Sequence, residues 1–358
     1  MARNIDRLQT RLRAMGVPLR PHIKTTKSVD VIRATLGGTP GPVTVSTLKE
    51  AEYALAHGLP DILYAVGLTP NKLERVTRLR RDGAALTVVV DNRTTAERLA
   101  AEARRTGDPI PALIEIDCDG HRAGIRPDDP ELIAIGRTLV EGGAELAGVM
   151  THAGGSYQLR GEAARAEAAE AERAAAIRAA ERLRQAGWPA PVVSVGSTPT
   201  AHAARNLDGV TEVRAGVFVF FDLVMAGIGV CSQDDIALSV LASVVDVAPG
   251  RNRIIVDAGW MALSRDRGTA AQPIDQFYGI VCDLDGRPYP DLVVLAANQE
   301  HGALGLRPGS GGRLPDLAVG DLVRILPNHA CATAAQHDHY VVLDGRDIRA
   351  NWPRINHW

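Results

Sequence analysis

From about residue 40 to residue 220, short apolar runs alternate with amphipathic stretches. The apolar runs are Val43–Ser46, Ile62–Val66, Leu86–Val90, Ala112–Asp117, Leu146–Thr151, Pro191–Val195 and Gly209–Val213. Between them lie helix-like segments such as Thr47–His57 and Thr94–Arg105, and an Ala-, Glu- and Arg-rich run from Gly161 to Ala186 that strongly favours helix. Adding a strand that carries Lys24 gives about eight βα units, which predicts parallel strands with crossover helices. Eight units suggest a closed (β/α)8 barrel, with an open doubly wound sheet as the second choice. In a barrel the functional residues sit at the C-terminal strand ends, where Lys24, Asp117 with Arg122, His152, the Ser194–Thr198 turn and Arg214–Gly216 would all fall.

After about residue 230 the texture changes. Ile236–Val247, Asn252–Ala258, Tyr278–Leu284, Asp291–Ala297, Leu322–Leu326 and Tyr340–Leu343 read as strands joined by Gly, Pro and Asp turns, with little helix between them. The pattern therefore predicts an α/β barrel over residues 1–230 and a mostly β domain over 231–358.

Composition narrows the classes. The 358 residues carry 40 basic and 42 acidic side chains, a formal charge of −2, and no basic block interleaved with aromatics, which argues against a nucleic-acid partner. No apolar run approaches the roughly 20 residues that span a bilayer, and the start lacks a signal-peptide core, so a cytoplasmic protein with no membrane partner is expected. The widely spaced Cys118, Cys231, Cys282 and Cys331 do not resemble a disulfide framework.

Two motifs carry candidate chemistry. Arg20-Pro21-His22-Ile23-Lys24 places an imidazole two residues before a lysine, and on an extended strand both would face one cavity. A lysine there can form a Schiff base with a carbonyl cofactor such as pyridoxal phosphate, PLP. Pro327-Asn328-His329-Ala330-Cys331 offers imidazole and thiolate, a pairing that suits zinc. Each has a plainer reading, a solvated lysine pair in one case and a buried thiol beside a hydrogen-bonded histidine in the other. The two motifs fall on different predicted domains, and sites between domains are common.

The ordered set of motifs resembles the fold-type III PLP enzymes, an alanine-racemase-like barrel followed by a β domain, and within them the metal-dependent D-serine dehydratase and D-threonine aldolase family. The carriers are Arg20-Pro21-His22-x-Lys24-Thr25-x-Lys27, Glu115-Ile116-Asp117-x-Asp119-Gly120-x-Arg122-x-Gly124 and Ser194-Val195-Gly196-Ser197-Thr198-Pro199-Thr200. To these are added Glu212-Val213-Arg214-Ala215-Gly216, Gln299-Glu300-His301-Gly302 and Pro327-Asn328-His329-x-Cys331. The resemblance implies that Lys24 anchors PLP, and that Ser197 and Thr198, with backbone amides near Gly196 and Gly216, hold its phosphate. Arg122 is a candidate for the cofactor ring or for a barrel-mouth salt bridge, and His152 and Tyr157 would line the pocket.

Two departures stand out. Relatives usually have a strand before the first barrel helix, whereas Met1–Ile5 is already helix-like. Where relatives often have tyrosine after the Gly216 turn, this chain has Phe218.

The resemblance further implies a lyase acting on a D-3-hydroxy amino acid, and commonly a homodimer. In dehydration Lys24 takes the Cα proton and zinc on His329 and Cys331 helps the β-hydroxyl leave, giving a keto acid and ammonia. In retro-aldol cleavage a base, His22 or His152, deprotonates that hydroxyl and Cα–Cβ breaks. Thiolate at Cys331 favours zinc and dehydration, whereas a carboxylate there would suit Mn2+ or Mg2+ and the aldolase. His301 or His337 could complete the metal's ligands. A PLP-binding homeostasis protein and a racemase are the remaining alternatives.

Overall fold

The computed structural model describes residues 1–357. Chain contacts divide it into two compact units, one of residues 5–218 with His357, the other of Met1–Asn4 with Val219–Asn356.

The first unit is an eight-stranded parallel sheet. Its strands are β1 (Leu19–Pro21), β2 (Val43–Val45), β3 (Asp61–Gly67), β4 (Ala85–Val90), β5 (Pro111–Ile116), β6 (Glu145–Thr151), β7 (Val192–Val195) and β8 (Glu212–Ala215). They run in the order β1-β8-β7-β6-β5-β4-β3-β2. A parallel bridge from His22 to Thr44, with Ile23 N–H donating to Thr44 O at 2.9 Å, joins the two ends and all but closes the barrel. The apolar runs are these strands because each is covered on both sides, as a crossover topology requires. Helices follow where the sequence caps them: Thr47 accepts from Glu50 N–H at the start of Leu48–Ala56, and Asn92 from Thr95 N–H at the start of Arg93–Thr106.

One expectation fails. The strand predicted to carry Lys24 ends at Pro21, and Lys24 lies in the turn that follows, because Thr26 and Lys27 N–H both return to Ile23 O. His22 and Lys24 are therefore not related by strand alternation.

The second unit contains a closed antiparallel barrel of β9 (Val240–Ala248), β10 (Arg253–Val256), β11 (Ile280–Cys282), β12 (Pro288–Ala297), β13 (Gly302–Leu306) and β14 (Leu322–Leu326), in the order β10-β13-β12-β11-β14-β9. Every second residue points inward: Val240, Ala242 and Val244 face Ile254 and Val256, Leu292 and Val294, Leu304 and Leu306, and Val323 and Ile325. A hairpin, β15 (His339–Asp344) with β16 (Asp347–Pro353), lies later in the chain. The barrel closes on strands drawn from residues 240–326 alone, and Ala2–Ala14 is helix, in keeping with the helix-like start of the sequence. Among the described residues no helix is long and apolar enough to cross a membrane.

Candidate active site

In the first unit the predicted residues gather at the C-terminal ends of the strands. Lys24 is exposed in the turn after β1. Its backbone N–H reaches His22 Nδ1 at 3.4 Å, and His22 Nε2 lies 3.3 Å from Ser46 Oγ, just past β2. Lys27, whose φ is +46°, pairs at 3.1 Å with the buried carboxylate of Glu50, which also accepts the Ser46 N–H at 2.7 Å. The turn that presents Lys24 is thus tied to the segment after β2.

After β6, His152 Nδ1 donates to Gly196 O, 2.9 Å away. A carbonyl only accepts, so Nδ1 carries the proton and Nε2 keeps its lone pair. The Tyr157 ring centre is 6.2 Å from that of His152. Burial, followed by the positive charges of Lys24, Arg122 and Arg214, lowers the His152 imidazolium to about 3. Burial with Lys24 and Arg214 pulls His22 well below its ordinary value. Both imidazoles are neutral at pH 7. Arg122 itself is exposed on the loop after β5, its charge felt at Glu115 and His152.

After β7 and β8 come the residues suited to an anion. Gly196 has φ +132°, and a Cβ there would sit 2.2 Å from Arg214 O. A Cβ on Gly216 would meet His22 O at 2.9 Å and Thr25 Oγ1 at 3.1 Å. Only glycine permits this closeness. Ser197 caps the helix Thr198–Ala203, its hydroxyl spent on Thr200 and on Ser156 Oγ at 2.9 Å. Thr198 Oγ1 is buried and finds no hydrogen-bond partner among the described residues. An orphaned hydroxyl beside tightly packed glycine backbone fits a phosphate-bearing cofactor. Phe218 is fully buried.

Behind this face lie further polar groups, of which sequence reasoning missed Glu172. Glu172 is buried on the helix Glu162–Gln185 and bonds both loops. Arg214, also buried, donates to Thr151 O and Ser194 Oγ, and Ser194 Oγ donates in turn to Glu212 at 2.6 Å. Glu172 had a signal in the helix phase, since it shares a face with Ala169, Ala176 and Leu183.

In the second unit His329 Nδ1 donates to Asp266 Oδ2 at 2.6 Å, and the imidazole also bonds the Cys331 side chain. Burial lowers the His329 imidazolium, but the Asp266 hydrogen bond and Cys331 outweigh it and raise it to about 11. An imidazole between a carboxylate and a thiol is a place for a cation, so the donor set fits a metal. Asn328 donates to Asp266 O at 3.1 Å, and the buried Asp222 accepts Ala330 N–H at 2.9 Å, fixing the segment on both sides of His329. His337 donates to Ala262 O and His301 is exposed. Among the described residues no three of His, Cys, Asp and Glu form a metal cluster. Asp266 lies 63 residues from His329 and left no local signal.

Comparison with known proteins agrees with both halves. Residues 1–224 match the alanine racemase N-terminal domain, and residues 237–343 match a putative serine dehydratase domain. The chain is 54 % identical over its whole length to D-threo-3-hydroxyaspartate dehydratase of Delftia sp. (strain HT23), covering 95 % of that protein. It is 30 % identical to D-serine dehydratase of Dictyostelium discoideum over 99 % of this chain and 94 % of that one. A cysteine-to-alanine variant of D-threo-3-hydroxyaspartate dehydratase, solved in a metal-free form, matches with a TM-score of 0.97 at 53 % identity, over 100 % of this chain and 95 % of that one. Two domain matches in order, a shared fold and full-length similarity place this chain in the fold-type III D-serine dehydratase and D-threonine aldolase family.

Proposed function

We propose that this protein is a PLP- and metal-dependent lyase that eliminates the β-hydroxyl of a D-3-hydroxy amino acid, yielding a keto acid and ammonia, with D-threo-3-hydroxyaspartate as the first substrate to test. The observation that carries the reading is the His329–Asp266 pair two residues before Cys331. It presents one imidazole nitrogen beside a thiol, the donor set for a soft Lewis acid such as zinc rather than for Mn2+ or Mg2+. The 54 % identity to a dehydratase points the same way.

When bound, PLP supplies the electron sink for a carbanion at the substrate Cα, and a metal supplies Lewis acidity to the β-hydroxyl. Lys24 Nζ would hold PLP covalently, and the same amine would serve as the base for the Cα proton. Thr198 Oγ1, with the backbone around Gly196 and Gly216, holds the phosphate, while the Ser197 hydroxyl stays with its helix cap. His152, neutral with its Nε2 lone pair open, accepts a hydrogen bond from the bound ligand, with Tyr157 alongside. Arg122 adds positive charge at the mouth.

The test is product analysis with purified protein supplied with PLP and zinc, using D-threo-3-hydroxyaspartate, D-serine and D-threonine. Keto acid and ammonia in equal yield, lost on chelation and in Cys331→Ala, are expected. Glycine with an aldehyde would replace this reading with retro-aldol cleavage.

A further inference from the structure

The loops after β6 and β7 carry separate parts of the proposed site, the His152 imidazole and the turn Gly196–Thr198. One buried oxygen joins them. Glu172 Oε1 accepts the Ala153 N–H at 2.9 Å and the Gly196 N–H at 3.1 Å. The Glu172 carboxylate also bonds the Thr200 side chain. Glu172 is 2 % exposed, on a helix whose buried residues are otherwise Arg165, two turns before it, and Ala169, Ala175, Ala176, Ala179, Ala180 and Leu183. Small alanines let the buried face lie close to the strands, and a carboxylate among them is costly unless its hydrogen bonds have a use.

The network turns on one residue, Gly196. Gly196 gives its N–H to Glu172 and takes the Nδ1–H of His152 on its carbonyl. The residue after His152 gives its own N–H to the same carboxylate oxygen. Ser156 strengthens the join, donating to Ala153 O at 2.7 Å and lying 2.9 Å from Ser197 Oγ. If Glu172 is removed, two buried N–H groups lose their acceptor, and the carbonyl that fixes the His152 tautomer is released to move.

We propose that Glu172 is a positioning residue that locks the loop after β6 to the loop after β7, holding His152 in its Nδ1–H tautomer and the 196–198 turn in its anion-binding shape. The inference rests on the reading that this turn holds the PLP phosphate. It also accounts for a glutamate at the centre of an alanine face, which helix propensity alone does not demand.

The experiment compares Glu172→Gln, which keeps an acceptor oxygen, with Glu172→Met, which keeps the volume and removes it. PLP is titrated into each apoprotein by absorbance and fluorescence, and His152 is followed by 15N NMR. Wild type is expected to show Nδ1–H imidazole from pH 5 to 9. Glu172→Gln should bind PLP within about threefold of wild type and keep the tautomer. Glu172→Met should bind about 10- to 100-fold more weakly and show mixed tautomers, the size expected for buried donors left unpaired.

Equal PLP affinity and an unchanged His152 spectrum in Glu172→Met, with only the melting temperature lowered, would overturn the proposal. So would equal losses in both variants. Should Glu172→Met not fold, slow hydrogen exchange at Ala153 and Gly196 in wild type, unchanged in Glu172→Gln, supports the lock, and fast exchange there overturns it. Failure of wild type to bind PLP would sink the underlying reading instead.

Discussion

The two units build their sites by opposite means. In the parallel barrel the proposed anion-binding turn is made by what is missing: side chains absent at Gly196 and Gly216 let backbone approach within distances no Cβ tolerates. In the antiparallel unit the proposed metal pair is made by what is present, an imidazole held by Asp266 and a thiol two residues on. A site made by omission is damaged by adding a methyl group. A site made by addition is damaged by removing an atom.

The largest effect is expected at neither, but at Lys24, the proposed cofactor anchor. Lys24→Ala should lower the lyase rate about a thousandfold or more while leaving the melting temperature near wild type, because Lys24 is exposed. Steady-state kinetics with thermal unfolding checks this, and a retained rate would remove Lys24 from the mechanism.

Next comes the added methyl. Gly196→Ala sets a Cβ 2.2 Å from Arg214 O and should cost about 2–4 kcal/mol in urea unfolding together with PLP affinity. Gly216→Ala should cost less, since its nearest atom lies at 2.9 Å. Metal content should not change in either. Loss of metal in Gly196→Ala would mean that the two sites are not built independently.

The subtracted atom follows. Asp266→Asn replaces the carboxylate behind His329 and should weaken zinc retention about 10- to 100-fold against a chelating dye, with PLP affinity unchanged. Zinc held as tightly as in wild type would reduce Asp266 to an ordinary ion pair.

The smallest effect is a pH dependence confined to the barrel. His152 is lowered from 6.5 to about 3 by burial, so below pH 6.5 the unfolded chain binds the proton that the folded one refuses. Its contribution to stability is complete above 6.5 and is lost as pH falls towards 3. Between pH 7 and 5 this is about 1–2 kcal/mol, which His152→Gln should abolish in urea midpoints. An equal loss in the variant would assign the acid sensitivity elsewhere.

The same contrast explains what could be read from the sequence. Glycine-bearing turns and His-x-Cys are local, so Gly196, Gly216, His329 and Cys331 were visible as motifs. The parallel strands were visible because burial on both faces makes them continuous apolar runs. Strand β13 was not, since Gly302-Ala303-Leu304-Gly305-Leu306 contains two glycines and reads as loop, and without it the six-stranded barrel could not be closed on paper. β16 was hidden by its polar residues. Asp266 and Glu172 act across 63 and 24 residues of sequence, on His329 and Gly196 respectively, and nothing local reports such a pairing. The extended geometry assumed at Lys24 failed because the bonds to Ile23 O turn the chain as soon as β1 ends.

The bridge between His22 and Thr44 has one more consequence. Every other strand pair around the barrel shares a ladder, whereas β1 and β2 meet through this single bridge. It is the seam of the barrel, where breathing breaks the fewest backbone bonds, and Lys24 stands two residues past it. A ligand fastened to Lys24 at one end and to the 196–198 turn at the other ties β1, the loose edge of the seam, to β7 two strands along the ladder, so saturating cofactor should quieten the fluctuations of β1 more than those of any other strand.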